Sequence, residues 1–239
     1  MEHTYVRNPG VGALELKVGN SRILVDAFNS VNKSEEVRPG DIILFTHDDD
    51  DHFDPSKLPD ISGLNVTVIG PPSIVKPLIE SEKAQIEQIR SVYSQNNAHP
   101  TFIELEDICI KSFGTHHFLN WKPVHNSYMI SHKLCSIYIT GDSYLTKDFK
   151  DIAGSMDIVI CNLVDEGYIT KSEDPRFAVH HHLSYLLNIM STYKPKKIIG
   201  THLIGFDGTV DAGTMKKLVK DFGFEEILIP ADSCEIYEL

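Results

Sequence analysis

Apolar and polar residues alternate through Gly12–Lys17 and again through Ser21–Asp26, on either side of Gly19-Asn20, which predicts a two-stranded hairpin. A third strand is expected over Asp41–Thr46. A fourth is expected over the β-branched run Asn65–Ile69, which stops at Gly70-Pro71-Pro72. From Ser73 to about Gln95, the spacing of Ile74, Leu78, Ile86 and Ile89 predicts a helix. Asp107–Phe113, Ser127–Ser131 and Cys135–Thr140 read as further strands. Asp157–Val164 is a nearly continuous apolar run, suited to a strand covered on both faces. Leu183–Tyr193 and Thr214–Phe222 carry helical spacing, and Lys196–Gly200 and Glu226–Ile229 read as strands. Strands alternating with helices indicate one α/β layered domain over residues 1–239.

Composition narrows the function classes. With 239 residues, 41% of them hydrophobic, the chain can bury a sizeable core. Acidic residues outnumber basic ones, 34 against 22, for a formal charge of −12. That balance argues against a general nucleic-acid or anionic-membrane surface, both of which need clustered lysine and arginine. Residues 1–7 hold no apolar signal core, and no apolar run is long enough to span a bilayer, so a cytoplasmic protein is expected. Cys109, Cys135, Cys161 and Cys234 lie far apart without Cys-x-x-Cys spacing. Thiolate zinc ligation is therefore disfavoured, and reduced core thiols are expected.

The chemistry concentrates at the ends of the expected strands. Residues 46–54 read Thr-His-Asp-Asp-Asp-Asp-His-Phe-Asp, directly after the apolar run ending at Phe45. Close carboxylates at a surface-like dielectric repel by roughly 4 kcal/mol per pair. Bound cations invert that logic, so the segment reads as half of a two-metal site. In an extended stretch His47, Asp49 and Asp51 point one way, and Asp48 and Asp50 the other. His47 and Asp49 can then share one ion, while Asp51 and His52 hold a second. His116 and His117 follow the strand ending at Phe113, Asp142 follows Thr140, and His202 follows Thr201. Side chains just beyond strand C-termini converge on one rim of an α/β sheet. Imidazoles with carboxylates form a donor set for zinc, manganese or iron.

Strand alternation sends His116 and His117 to opposite sides, so one of them should ligate; the reading leans to His117. His125 is a weaker third candidate. Asp26 is expected to hydrogen-bond the ligand loop, and Asp165 and Glu166 are candidates for the pocket wall. His3, His99 and His132 read as surface or structural residues. The bland alternatives are a solvated acidic loop, an ordinary Gly-Asp turn at 141–142 and a strand-end histidine at 202. Each weakens once the residues are taken together.

The pattern Thr-His-x-x-x-Asp-His behind an apolar strand has Ile-Leu-Val-Asp26 upstream, and Gly141-Asp142 and Thr201-His202 downstream. In that order it resembles the metallo-β-lactamase superfamily across about residues 10–239. Residues 39–55 are most similar to the branch containing ascorbate-6-phosphate lactonase. The run His180-His181-His182, with His180 22 residues before His202, resembles the cyclic phosphodiesterases and tRNA-end ribonucleases.

The resemblance implies a four-layer αβ/βα sandwich with metals at one edge of the sheets. It implies a first site of His47, Asp49 and His116 or His117. The second would be Asp51, His52 and His202, with Asp142 bridging both. Most members carry histidine where Asp49 stands; an oxygen donor there suits a harder cation and moves iron and manganese up against zinc. Flavodiiron oxidoreductases also place a carboxylate there, but their extra flavin-binding domain is absent from these 239 residues.

The expected reaction is hydrolysis by a metal-activated water, on a phosphodiester or a lactone or other ester of a small phosphorylated metabolite. Asp51 would ligate and also orient that water. His180 or His182, with His181 beside them, would stabilise developing charge or protonate the leaving group. The alternatives are a di-iron oxidoreductase, an RNA-end nuclease and a non-catalytic metal-binding relative. The expected partner is an anionic small molecule, with neither nucleic acid nor membrane favoured and a homo-oligomer left open.

Overall fold

In the computed structural model the described residues are 4–10, 12–92, 100–117, 125–143, 145, 149, 151, 154–162, 185–202, 212–221, 223–225, 227–230 and 236–239. Their strands form two sheets of seven. The first holds β1 (Tyr5–Arg7), β2 (Leu14–Val18), β3 (Ser21–Val25), β4 (Ile42–Leu44), β5 (Thr67–Gly70) and β6 (Ile89–Ser91). The last strand, β14 (Ile236–Glu238), pairs with β1 and completes its edge. The second sheet runs in chain order from β7 (Thr101–Glu104) through β8 (Cys109–Thr115), β9 (His125–Ser131) and β10 (Ser136–Ile139). It continues through β11 (Ile158–Asn162) and β12 (Lys197–Thr201) to β13 (Leu228–Pro230). Strands β3 to β6 are mutually parallel, as are β10 to β13.

Alternation decides which face each strand buries. Leu14, Leu16 and Val18 of β2 and Ile23 and Val25 of β3 meet Ile110, Tyr128, Ile130, Ile137 and Ile160 of the second sheet in a core between the sheets. The intervening Leu24, Ile43 and Val68 face outward against Ile74 and Leu78 of α1 (Pro72–Glu80). On the far side, Met129, Tyr138, Val159 and Ile198 pack against Leu186, Ile189 and Tyr193 of α2 (185–193), and against Val219 of α3 (Ala212–Asp221). Helix, sheet, sheet and helix therefore stack as the αβ/βα sandwich expected from the sequence. No helix among the described residues is long and apolar enough to cross a membrane. Cys109, Cys135 and Cys161 are free thiols; Cys234 lies outside the described residues.

The strands expected from alternation form within two residues of their bounds wherever those ends are described. The long helix does not. α1 stops at Glu80, Ile86–Gln88 form a 3-10 turn, and Ile89 enters β6. The stop is a Schellman closure: Glu82 takes φ +57, its N–H bonds the Ile79 carbonyl, and the Lys83 N–H bonds that of Leu78. Glycine usually occupies the left-handed position, and glutamate there leaves no signal in the sequence. The three- and four-residue strands β1, β6, β7 and β14 were also not expected.

A charged cluster lies outside all three of these apolar cores. Glu15, between the inward residues of β2, accepts bonds from Tyr5 (3.0 Å), Arg7 (Nε, 2.9 Å) and Arg22 (3.0 Å). Arg7 also reaches Glu35 at 2.6 Å and Arg22 reaches Asp41 at 2.7 Å, tying the β3–β4 connection across this face. Burial works against ionisation of Glu15, but Arg22, Arg7 and Tyr5 overcome it and hold the carboxyl down at about 2. A depressed folded value stabilises above the unfolded value near 4.5 and loses that contribution as pH falls towards 2. Glu15→Gln is therefore expected to cost on the order of 2 kcal/mol at neutral pH, after allowance for screening. The gap between wild-type and variant melting temperatures should close between about pH 4.5 and pH 2.5. A gap that is constant with pH contradicts the assignment.

Candidate metal centre

The C-terminal ends of β3, β4, β8, β10, β11 and β12 all open on one rim, where their side chains meet. Each end delivers a polar side chain within three residues of its last strand residue: Asp26, His47, His117, Asp142, Asn162 and His202. The ligand loop itself is a turn and not the extended segment expected. The Asp49 carbonyl accepts the N–H groups of both His52 and Phe53 at 2.8 Å. That turn lets the neighbours Asp51 and His52 face the same centre. Gly12 makes the close approach possible: at φ +69, a Cβ there would lie 2.8 Å from the Asp51 carbonyl oxygen.

Among the described residues, donor atoms gather in three overlapping groups, each with its atoms within 4.8 Å of one another. The first is His47, Asp49 and His117; the second is Asp51, His52 and His202; the third, His47, His52 and Asp142, joins them. Asp49 Oδ2 lies 3.3 Å from His47 Nε2 and 3.4 Å from His117 Nε2. Asp51 Oδ2 lies 3.4 Å from His202 Nε2. Asp142 turns one oxygen to each side: Oδ2 is 3.4 Å from His117 Nε2 and 3.9 Å from His47 Nε2, while Oδ1 is 3.2 Å from His52 Nε2. The set fits a divalent cation. Ligands about 2.0–2.1 Å from a tetrahedral ion stand roughly 3.3–3.4 Å apart. The Nε2 atoms of His47, His52 and His202 are buried without a hydrogen bond, a condition that costs roughly 1–3 kcal/mol per atom unless something else satisfies it.

Hydrogen bonds behind the rim fix which ring nitrogen faces forward. Asp26, 1% exposed, accepts the Thr46 N–H at 2.8 Å, the Thr46 hydroxyl at 2.6 Å and His52 Nδ1 at 2.8 Å. Because Thr46 gives its proton to Asp26, its oxygen accepts from His47 Nδ1 at 2.9 Å. One carboxylate thus sets the tautomers of histidines in both groups, leaving each Nε2 lone pair forward. Asp26 does so from a left-handed backbone, φ 49. Its expected place behind the ligand loop matches this geometry.

Electrostatics bind the cluster together. Burial opposes charge on His52, yet Asp142 and Asp26 raise its pKa well above the ordinary value. The same opposition acts on His117, where Asp142 and Asp49 win and lift it to about 9. Asp142 is pulled well below the carboxylate range by His52, His117 and His202 despite its burial. Protons held this way are what a cation displaces.

Other expected residues fall elsewhere. His116 is exposed and belongs to none of the three groups, because the alternation that buries His117 turns its neighbour outward. His125 is buried but is not in a donor group either. Its Nε2 accepts the Asp142 N–H at 2.9 Å and its Nδ1 donates to Thr115 at 2.7 Å. Burial, then the neighbouring His47, push it well below its usual pKa, so it is a neutral support for the Asp142 backbone. His132 lies at the opposite end of the sheets, with its Nδ1 accepting the Leu134 N–H at 3.2 Å. His180, His181, His182, Asp165, Glu166, His3 and His99 lie outside the described residues. Asn162 was missed: its amide donates to Asp142 Oδ1 and its oxygen accepts from Thr201 at 2.6 Å. It is a lone polar residue inside the apolar run Asp157–Val164, and nothing in the sequence shows which partners it meets.

Two stacked mixed sheets with outer helices and a histidine–aspartate rim define the metallo-β-lactamase fold. The chain belongs to the β-lactamase superfamily: the profile of the family described as the β-lactamase superfamily domain matches residues 7–201. A UPF0173 protein of Pyrococcus abyssi is 28% identical over 146 residues. That match spans 61% of this chain and 63% of the relative, under two thirds of its length. A possible metal-dependent hydrolase from Veillonella parvula superposes with a TM-score of 0.70 at 16% identity, covering 100% of this chain and 99% of that one. CmlA, a diiron β-hydroxylase from Streptomyces venezuelae, gives a TM-score of 0.68 at 14% identity over 100% of this chain and 55% of its own.

Proposed function

We propose that this protein is a binuclear metal-dependent hydrolase acting on a phosphodiester or a lactone-type ester of a small anionic metabolite. The observation that carries the reading is the convergence of seven donor residues on one rim, with Asp142 offering one oxygen to each group. His47, Asp49 and His117 would hold one ion, and Asp51, His52 and His202 the other. When bound, such ions lower the pKa of coordinated water towards neutrality and polarise a carbonyl or phosphoryl oxygen. Asp51, part-buried beside His202, is held ionised by that histidine and by His52 against its burial. It is placed to accept a hydrogen bond from the attacking water and so aim it. Three carboxylates among the ligands offset three of the four charges of two dications, which leaves about one positive charge to draw an anionic substrate.

With Asp49 in the first group, both groups offer two imidazoles and two carboxylates. That set is harder than a three-histidine site and favours manganese or iron over zinc. The same feature supports the second reading, a di-iron oxidoreductase, since CmlA shares the fold and is a diiron enzyme. Elemental analysis of protein purified without added metal, followed by assay on phosphodiester and lactone panels, tests the first reading. Two ions per chain and turnover on either class are expected. Metal-loaded protein that is inert on both but consumes oxygen when reduced would replace it with the second.

A further inference from the structure

We propose that Asn162 is a positioning residue that keeps the second ion site, that of Asp51, His52 and His202, competent by clamping the shared carboxylate to the strand that carries His202. The proposal rests on the two-metal reading above. Asn162 ends β11, which lies between β10, leading to Asp142, and β12, leading to His202. Its Nδ2 donates to Asp142 Oδ1, the oxygen 3.2 Å from His52 Nε2. Its own oxygen accepts the Thr201 hydroxyl at 2.6 Å. Because the ionised Asp142 carboxylate can only accept, the NH2 group must face it, which turns the amide oxygen towards the Thr201 hydroxyl.

Two consequences point to the second site and not the first. Without the amide, the Asp142 carboxylate can turn about its Cβ–Cγ bond, and its other oxygen already faces His117 and His47 at 3.4 and 3.9 Å. The shared ligand would then drift towards the first group. His202, meanwhile, holds φ +64, a backbone region that costs an ordinary residue free energy unless its surroundings enforce it. Thr201, buried and bonded to Asn162, supplies part of that enforcement from the residue before. Asn162 bonds the Asp142 oxygen turned to His52, and Thr201 precedes His202, so both act on the second site and the first should survive their loss.

The test is calorimetric titration of metal-free protein with Mn2+, paired with elemental analysis after desalting and the visible spectrum of the Co2+ form. Wild type and Thr201→Ser should take up two equivalents. Asn162→Ala and Thr201→Val should keep the first affinity and weaken the second by about 10- to 100-fold, the usual effect of removing an outer hydrogen-bond partner. Their Co2+ spectra should correspond to one site. Thr201→Val exchanges a hydroxyl for a methyl at nearly equal volume and carries the test if Asn162→Ala does not fold. Two undiminished equivalents in both variants, equal weakening of both sites, or failure of Thr201→Ser to restore the second ion each overturn the proposal. A wild-type protein that binds no second ion overturns the two-metal reading itself, and this proposal with it.

Discussion

Replacing Asp142 by alanine is expected to reduce kcat/KM by on the order of 1,000-fold or more. Among the described residues, no other carboxylate lies against the Nε2 atoms of both groups of histidines. Its two oxygens lie 3.2 Å from His52 and 3.4 Å from His117, in a setting that leaves the residue 4% exposed. Losing it removes one donor from each ion at once, and it leaves two carboxylates against four positive charges. Charge balance and geometry then fail together, so occupancy should fall along with turnover. Elemental analysis and steady-state kinetics on the best substrate check this directly. A variant that retains two ions and activity within about tenfold of wild type would show that the two centres do not share this ligand.

The second large effect is expected at a residue that touches no ion. Asp26→Asn preserves volume but offers one acceptor oxygen where three donors now converge. The amide NH2 must face either Thr46 or His52, donor against donor, in a pocket closed to water. One or two unpaired buried groups imply a loss of about 2–4 kcal/mol in the metal-free protein. The subtler consequence concerns the imidazoles. With no carboxylate behind it, His52 is free to carry its proton on Nε2, which turns a lone pair aimed at the rim into a donor. His47 follows through Thr46, since that hydroxyl no longer has a fixed acceptor. Affinity for both ions should therefore fall by roughly 10- to 100-fold, accompanied by a lower melting temperature. Wild-type stability and wild-type binding together would remove Asp26 from its role. A stability loss without weaker binding would make it a purely architectural residue.

Much of this centre could be read from the chain because its participants are chemically conspicuous. Carboxylates and imidazoles directly after apolar runs have few reasons to exist in a folded protein, and parallel strands bring their ends together by construction. His47, Asp49, Asp51, His52, Asp142 and His202 were all visible on that ground, while alternation showed that one of His116 and His117 should face the rim without deciding which. What stayed hidden depends on neighbours distant in sequence. Asn162 looks like a stray polar residue within an apolar run until Thr201 and Asp142 are placed on either side of it. His125 reads as a possible ligand, and only its contacts with Thr115 and the Asp142 N–H show its lone pair already used. The turn at Asp49–Phe53 violated the assumption of an extended loop, yet His47 and Asp49 still fall in one donor group because a turn and a strand both place residues 47 and 49 near each other. Helix α1 was overextended for a local reason. Ile86 and Ile89 fall at helical spacing, but a glutamate adopting φ +57 had already stopped the helix.

The residues of the rim span positions 26 to 202 and come from both sheets, so no fragment of the fold contains a complete set. Chain entropy must be spent on many distant pairings before the last of them meet, which places completion of the rim late in folding. A divalent ion can then reward only the finished molecule, since it gains its full coordination nowhere else. By mass action it deepens the native basin without helping any earlier species to form. Retention of the ion is thus a signature of chains that have reached the end of the folding route.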